Sequence, residues 1–168
     1  MTASAKTGRN ITVTRTFDAP VELVWRAWTD PALVMRWWGP DYFTTPVAKL
    51  DFREGGTSIV AMRSPEGVDN YSTWKYTRIV QHQEIEYIHS LCQPDGSPVD
   101  PVALGFPADF PLETRTVVTF KPLGQKTEMT ITEYDFTAQG QMYEFAVLGL
   151  NQVADNMVRA VEELQKGV

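Results

Sequence analysis

Val24-Trp-Arg-Ala-Trp-Thr-Asp-Pro-Ala-Leu-Val-Met-Arg-Trp-Trp-Gly-Pro40 carries four of the five tryptophans of the chain. It reads as two short helices meeting at a bend. Asp18-Ala-Pro20 is predicted to open the first, the Asp side chain accepting orphan backbone N–H groups and the Pro fitting the first turn. Thr29-Asp30-Pro31 repeats the device, stopping the first helix and capping the second, and Gly39-Pro40 ends the second. Val24 and Trp28 fall four apart on one helical face, as do Leu33 and Trp37. Each buried aromatic covers about 150–250 Å², so this much indole needs a large apolar surface to lie against. The rest of the chain must supply it.

The rest alternates with a period of two. Asn10–Phe17, Val47–Phe52, Thr57–Arg63, Tyr71–Val80, Glu84–Cys92, Thr114–Lys121 and Thr127–Tyr134 read as strands, joined by turn-formers such as Gly55-Gly56 and Ser64-Pro-Glu-Gly67. From Gly140 the period changes to that of a long helix, with Met142, Phe145, Gly149, Val153, Met157, Ala160 and Leu164 as its apolar stripe. Glu162-Glu163 reads as a solvated face of that helix. Residues 1–9 read as a flexible tail and 10–166 as one domain. The segment 93–111 is an insertion holding Pro94, Pro98, Pro101, Pro107 and Pro111. Irregular segments of this length in small domains are often lids over binding sites, and otherwise surface decoration.

With 168 residues, 43% of them apolar, the chain is long enough to bury about 70% of its unfolded surface. A net charge of −6 without a basic run argues against nucleic-acid binding. Its apolar runs fall short of the roughly 20 residues that membrane insertion needs. A single cysteine, Cys92, and a polar start without a signal-peptide pattern lead to the expectation of a cytoplasmic protein.

This order of elements is that of the helix-grip fold, and particular segments sharpen the likeness. Phe17-Asp-Ala-Pro20, Ala27-Trp-Thr-Asp-Pro31, Trp37-Trp-Gly-Pro40, Phe52-Arg-Glu-Gly-Gly56, Met62-Arg-Ser-Pro-Glu-Gly67 and Gly149-Leu-Asn-Gln-Val153 resemble the family named after activators of the heat-shock-protein-90 ATPase. That family lies within the START-like (SRPBCC, Bet v-type) superfamily. The resemblance implies an α+β domain in which a curved antiparallel sheet wraps a long C-terminal helix, with a cavity between them. It implies no single activity, because the superfamily includes lipid carriers, hormone receptors, polyketide cyclases and hydrolases. The Pro-rich 93–111 segment departs from the shorter loop usual in the family.

A large apolar void is expensive, at about 24 cal/mol per Å³, so about 300 Å³ left empty would cost about 7 kcal/mol. A typical domain is stable by only about 5–15 kcal/mol. A large cavity must therefore be partly polar or occupied, and polar residues in the apolar phase of strands are its sign. Arg15, His89 and Glu133 are in that phase. Each can also be explained as a strand-end residue with its tip in water. His89 is a candidate acid–base group if Glu133 orients it, and a satisfied structural histidine otherwise.

Trp38, Trp74, Tyr76, Tyr87 and His89 are candidate ligand contacts from the bend and the strands. Phe120 and Met129, with Phe145 and Met157 of the long helix, complete the set, plain core packing being the competing explanation for each. His82, His89 and Cys92 do not form a metal site, since 89 and 92 point to opposite strand faces, and no cofactor fingerprint occurs. The expected function is binding of a small hydrophobic or aromatic molecule between sheet and long helix. The alternatives are a cyclase, dehydratase or hydrolase using the same cavity, and a chaperone-associated interaction protein. The 93–111 segment is expected across one end of the cavity, near the Trp37-Trp38 corner or the start of the long helix.

Overall fold

Seven alternating segments become seven strands of one sheet in a computed structural model that describes residues 8–167. The strands are β1 (Arg9–Phe17), β2 (Thr44–Lys49), β3 (Thr57–Arg63), β4 (Asp69–Val80), β5 (Glu84–Cys92), β6 (Thr114–Leu123) and β7 (Lys126–Phe136). Every neighbouring pair is antiparallel, in the order β1-β7-β6-β5-β4-β3-β2. Helices α1 (Val21–Thr29) and α2 (Pro31–Trp37) follow β1, and α3 (Gly140–Gln165) closes the chain against β1, α1 and α2. The curved sheet, the long helix and the early helix pair make this the helix-grip fold. Of the tail expected over residues 1–9, positions 1–7 lie outside the described residues, and Arg9 already pairs with Phe136.

The tryptophan-rich bend does what its composition requires. Val24, Trp28, Leu33 and Trp37 are all buried. Trp37 stacks on Trp74 of β4 at 6.1 Å, Trp28 packs against both, and the Trp37 indole N–H donates to the Ala27 carbonyl at 2.8 Å. Asp30 caps α2 as predicted, accepting from the Ala32 N–H at 3.0 Å. Asp18 does not cap α1. The residue ahead of that helix is Pro20, which has no side-chain acceptor, and the Asp18 backbone N–H instead donates to Glu162. Glu162-Glu163 is thus more than a solvated face, since Glu163 also pairs with Arg36 of α2 at 2.6 Å.

One strand is displaced from its expected place. Val47–Phe52 is the apolar signal, yet pairing with β3 runs from Thr44 to Lys49. Beyond Lys49 the Asp51 N–H turns to the Ser58 hydroxyl, and Phe52 packs edge-on against Trp25 and Tyr76 from a loop. Its hydrophobicity records packing against the core and not strand pairing. The stripe on α3 is likewise split. Val153, Ala154, Met157, Ala160 and Val161 are buried in the core, whereas Phe145 is 54% exposed. The C-terminal half of α3 fills the sheet's concave face, and the N-terminal half packs on one side only, Met142, Tyr143, Ala146 and Val147 lying against Ile11, Phe136 and Ala138.

Candidate functional site

Beside this half of α3 a cavity of about 290 Å³ opens between the helix and the sheet. The strands contribute the ends of their inward rows. From β4 come Asn70 and Ser72, from β5 His89 and Leu91, from β6 Thr114, and from β7 Glu133. Asp135, held at φ +53°, breaks the alternation of β7, so Phe136 joins Glu133 on the cavity wall. On the other side, α3 offers Met142, Phe145, Gly149, Leu150 and Val153. A Cβ built on Gly149 meets no heavy atom within 4 Å. A glycine inside a helix costs about 1 kcal/mol relative to alanine, and here it enlarges the open space.

The Trp38 corner forms one wall. Trp38 packs edge-on against Trp74 at 5.1 Å and lies 6.1 Å from the His89 ring. α3 fastens the corner, with the Asn156 amide donating to the Gly39 carbonyl and Gln152 accepting from the Asp41 N–H, both at 3.1 Å. The 93–111 segment forms another wall. Its first part pairs back at Cys92 and Pro98, and residues 101–104 form one 3-10 turn. Phe106 and Phe110, 4.6 Å apart, then reach the cavity. The Asp109 carboxylate accepts the Gln139 N–H at 2.9 Å, which ties this segment to the start of α3.

The polar floor is divided between two places. His89 Nε2 and the Ser72 hydroxyl are 3.0 Å apart and hydrogen-bonded. Burial pushes the imidazole down to about 4, so it is neutral at pH 7. Glu133 pairs across Thr116 with the row of Tyr87, which sets it two strands from His89, about 10 Å to the side. His89 is therefore not oriented by Glu133. Burial pushes the Glu133 carboxyl up to about 7, and no partner among the described residues offsets it. The Tyr87 hydroxyl is raised well above its usual range, first by its own burial and then by the Glu133 charge.

Of the nine side chains proposed as ligand contacts, the structure brings Trp38, His89 and Phe145 to the cavity. Trp74, Tyr76 and Tyr87 are instead packed within the core, and so are Phe120, Met129 and Met157. They lie further along the same concave face, where α1, α2 and the C-terminal half of α3 cover it. Arg15 is also outside the cavity. It reaches α3, donating to Asp155 at 2.7 Å and to Asn151 at 2.9 Å. Asn70, Ser72 and Thr114 escaped the sequence reading, although each is a polar residue in an inward phase, the same sign that singled out Glu133. Among the described residues no cluster of three or more His, Cys, Asp or Glu side chains is arranged to hold a metal ion, and no helix is long and apolar enough to cross a membrane.

No curated protein is similar enough to this chain to count as a match. Solved structures are similar over nearly the whole chain. A protein from Arthrobacter aurescens is 25% identical with a TM-score of 0.76, covering 97% of this chain and 90% of that one. An AHSA1-like protein from Aeromonas hydrophila is 20% identical with a TM-score of 0.70, covering 94% of each chain. The AHSA1 protein from Silicibacter pomeroyi is 17% identical with a TM-score of 0.73, covering 95% of this chain and all of that one. At such identities the last two speak for the fold alone. The sequence profile of the Activator of Hsp90 ATPase homolog 1-like proteins matches residues 18–162. The chain belongs to that family.

Proposed function

We propose that the chain binds a small, largely apolar molecule carrying one polar end in the cavity between sheet and α3. The observation that carries this reading is the 290 Å³ space itself, apolar along α3 and the Phe106–Phe110 segment and polar at its floor. Left empty and dry, such a volume would cost about 7 kcal/mol. Gly149 widens it where an alanine would serve the helix better. The arrangement favours binding over turnover. General acid–base chemistry wants a base oriented by a partner, and the imidazole on the wall is engaged by Ser72, away from Glu133.

Gly149→Leu tests the reading. The leucine projects into open space and fills part of the cavity without touching the core. Neutral aromatic probes such as indole and phenethyl alcohol are expected to raise the melting temperature of the wild type and to appear as complexes in native mass spectrometry. The variant should lose at least about tenfold in their affinity while melting no lower, because a helical glycine is removed. Equal binding by the two proteins, or the absence of binding to either, would overturn the proposal.

A further inference from the structure

Glu133 is the one charged side chain on the cavity wall among the described residues, and no lysine or arginine lines it. A carboxylate or phosphate ligand would meet no cation there and would be repelled by Glu133. Trp38, Phe106, Phe110, Phe136 and Phe145 present rings to the same space, and ring faces attract cations through their quadrupole. The carboxyl of Glu133 has no hydrogen-bond or charge partner among the described residues. A carboxyl withdrawn from bulk water onto a cavity wall in this way is costly until a donor reaches it. An ammonium group supplies both the opposite charge and the missing N–H donors. The overall charge of −6 draws cations toward the molecule as well.

We propose that the cavity takes a small amine on an aromatic body, its ammonium held by the Glu133 carboxylate and its ring by Trp38, Phe106, Phe110 and Phe145. This assignment rests on the binding reading above and names its ligand class. The volume is about twice the 150 Å³ void that admits benzene, enough for one ring and a short chain. The titratable groups facing Glu133 are Tyr87 and His89 of β5, both neutral at pH 7. β6 offers Thr114 and Thr116, β1 offers Ile11, and α3 and the 93–111 segment present uncharged side chains to the cavity. Glu133 keeps its proton below about pH 7. Binding an ammonium then releases that proton to solvent, and affinity for the amine rises with pH up to that point and levels off above it.

The test compares phenethylamine, phenethyl alcohol and phenylacetate on the full chain and on Glu133→Gln, by calorimetry and ligand-detected NMR at pH 8. The amine is expected to bind the wild type about tenfold tighter than the alcohol, and the acid more weakly than the alcohol. Glu133→Gln should erase the amine's advantage over the alcohol, and an unchanged circular dichroism spectrum with cooperative melting shows that the variant is folded. In the wild type, the amine-to-alcohol preference should fall about tenfold between pH 8 and pH 6. If alcohol or acid equals the amine, or if the preference survives Glu133→Gln or is constant with pH, the amine assignment is overturned while the binding reading stands. If even the neutral alcohol fails to bind the wild type, the binding reading falls with it.

Discussion

Replacing Glu133 by glutamine keeps the shape of the side chain and removes its titration, which turns its burial into a measurable pH dependence. In the folded chain the carboxyl is raised from an ordinary 4.5 to about 7. The folded state therefore holds a proton that the unfolded state has already lost. Such a group stabilises fully below pH 4.5, and its contribution disappears as pH rises to about 7. At about 1.36 kcal/mol per unit, the loss amounts to about 3 kcal/mol. The glutamine amide is neutral throughout, so Glu133→Gln should match the wild type near pH 4 and exceed its stability by about 3 kcal/mol at pH 8. In a domain of this size that is a melting difference of about 6–12 °C. His89 acts in the opposite sense, because its lowered value makes it stabilising above pH 6.5 and progressively less so toward pH 4. That effect is present in both proteins and cancels in their difference. Urea unfolding of both at half-unit intervals from pH 4 to pH 9 gives the curve. A difference that is constant with pH, or a wild type more stable than the variant at pH 8, would refute the burial of an unpartnered carboxyl.

Trp74→Ala empties the centre of the indole cluster and should cost about 3–5 kcal/mol in chemical denaturation. Phe145→Ala, at a half-exposed position, should cost under about 1 kcal/mol yet weaken probe binding in the same calorimetric assay. Asp30→Ala removes the α2 cap and should lower stability by about 1 kcal/mol. Shortening the 93–111 segment to a tight turn should leave the circular dichroism spectrum unchanged, since loop closure costs only about 0.6 kcal/mol per doubling of length. With Phe106 and Phe110 gone, both on- and off-rates of a probe in stopped flow should rise, and unchanged rates would remove the segment's role as a cover.

The fold was legible because its signals are local. Alternation in β3 and β5 places their boundaries at the observed residues, and Asp30-Pro31 marks a helix start that Asp30 in fact caps. The miss at β2 arose because Leu50 and Phe52 are partly buried from a loop, packed against the core, and such packing and strand pairing leave the same trace in composition. The site was only partly legible for a related reason. A period of two tells which face of the sheet a residue joins, but Trp74 and Ser72 share that face and differ only in what lies above them. Whether α3 covers a given row is a long-range property, set by its packing against β1, α1 and α2. The polar residues Asn70, Ser72 and Thr114 carried part of the missing information, since an inward polar side chain needs either a hydrogen-bond partner, as Ser58 finds in Tyr76, or an open cavity beside it. Phe136 could not be anticipated, because the left-handed Asp135 that turns it inward leaves no mark on periodicity.

The division of α3 into a half locked in the main core and a half that also borders the cavity separates two kinds of selection. Changes at Val153, Met157 or Val161 disturb the interlocked core and are removed by loss of folding. Changes at Phe145 or Gly149, which line the cavity outside both apolar clusters, alter its shape while the helix stays anchored on either side of them. On the binding reading proposed above, a lineage carrying this architecture would exchange one ligand for another through single substitutions that lie within the stability margin of an ordinary domain. One exposed stripe of the helix would then be the surface on which specificity drifts, and its two packed faces the anchor that keeps each intermediate folded along the way.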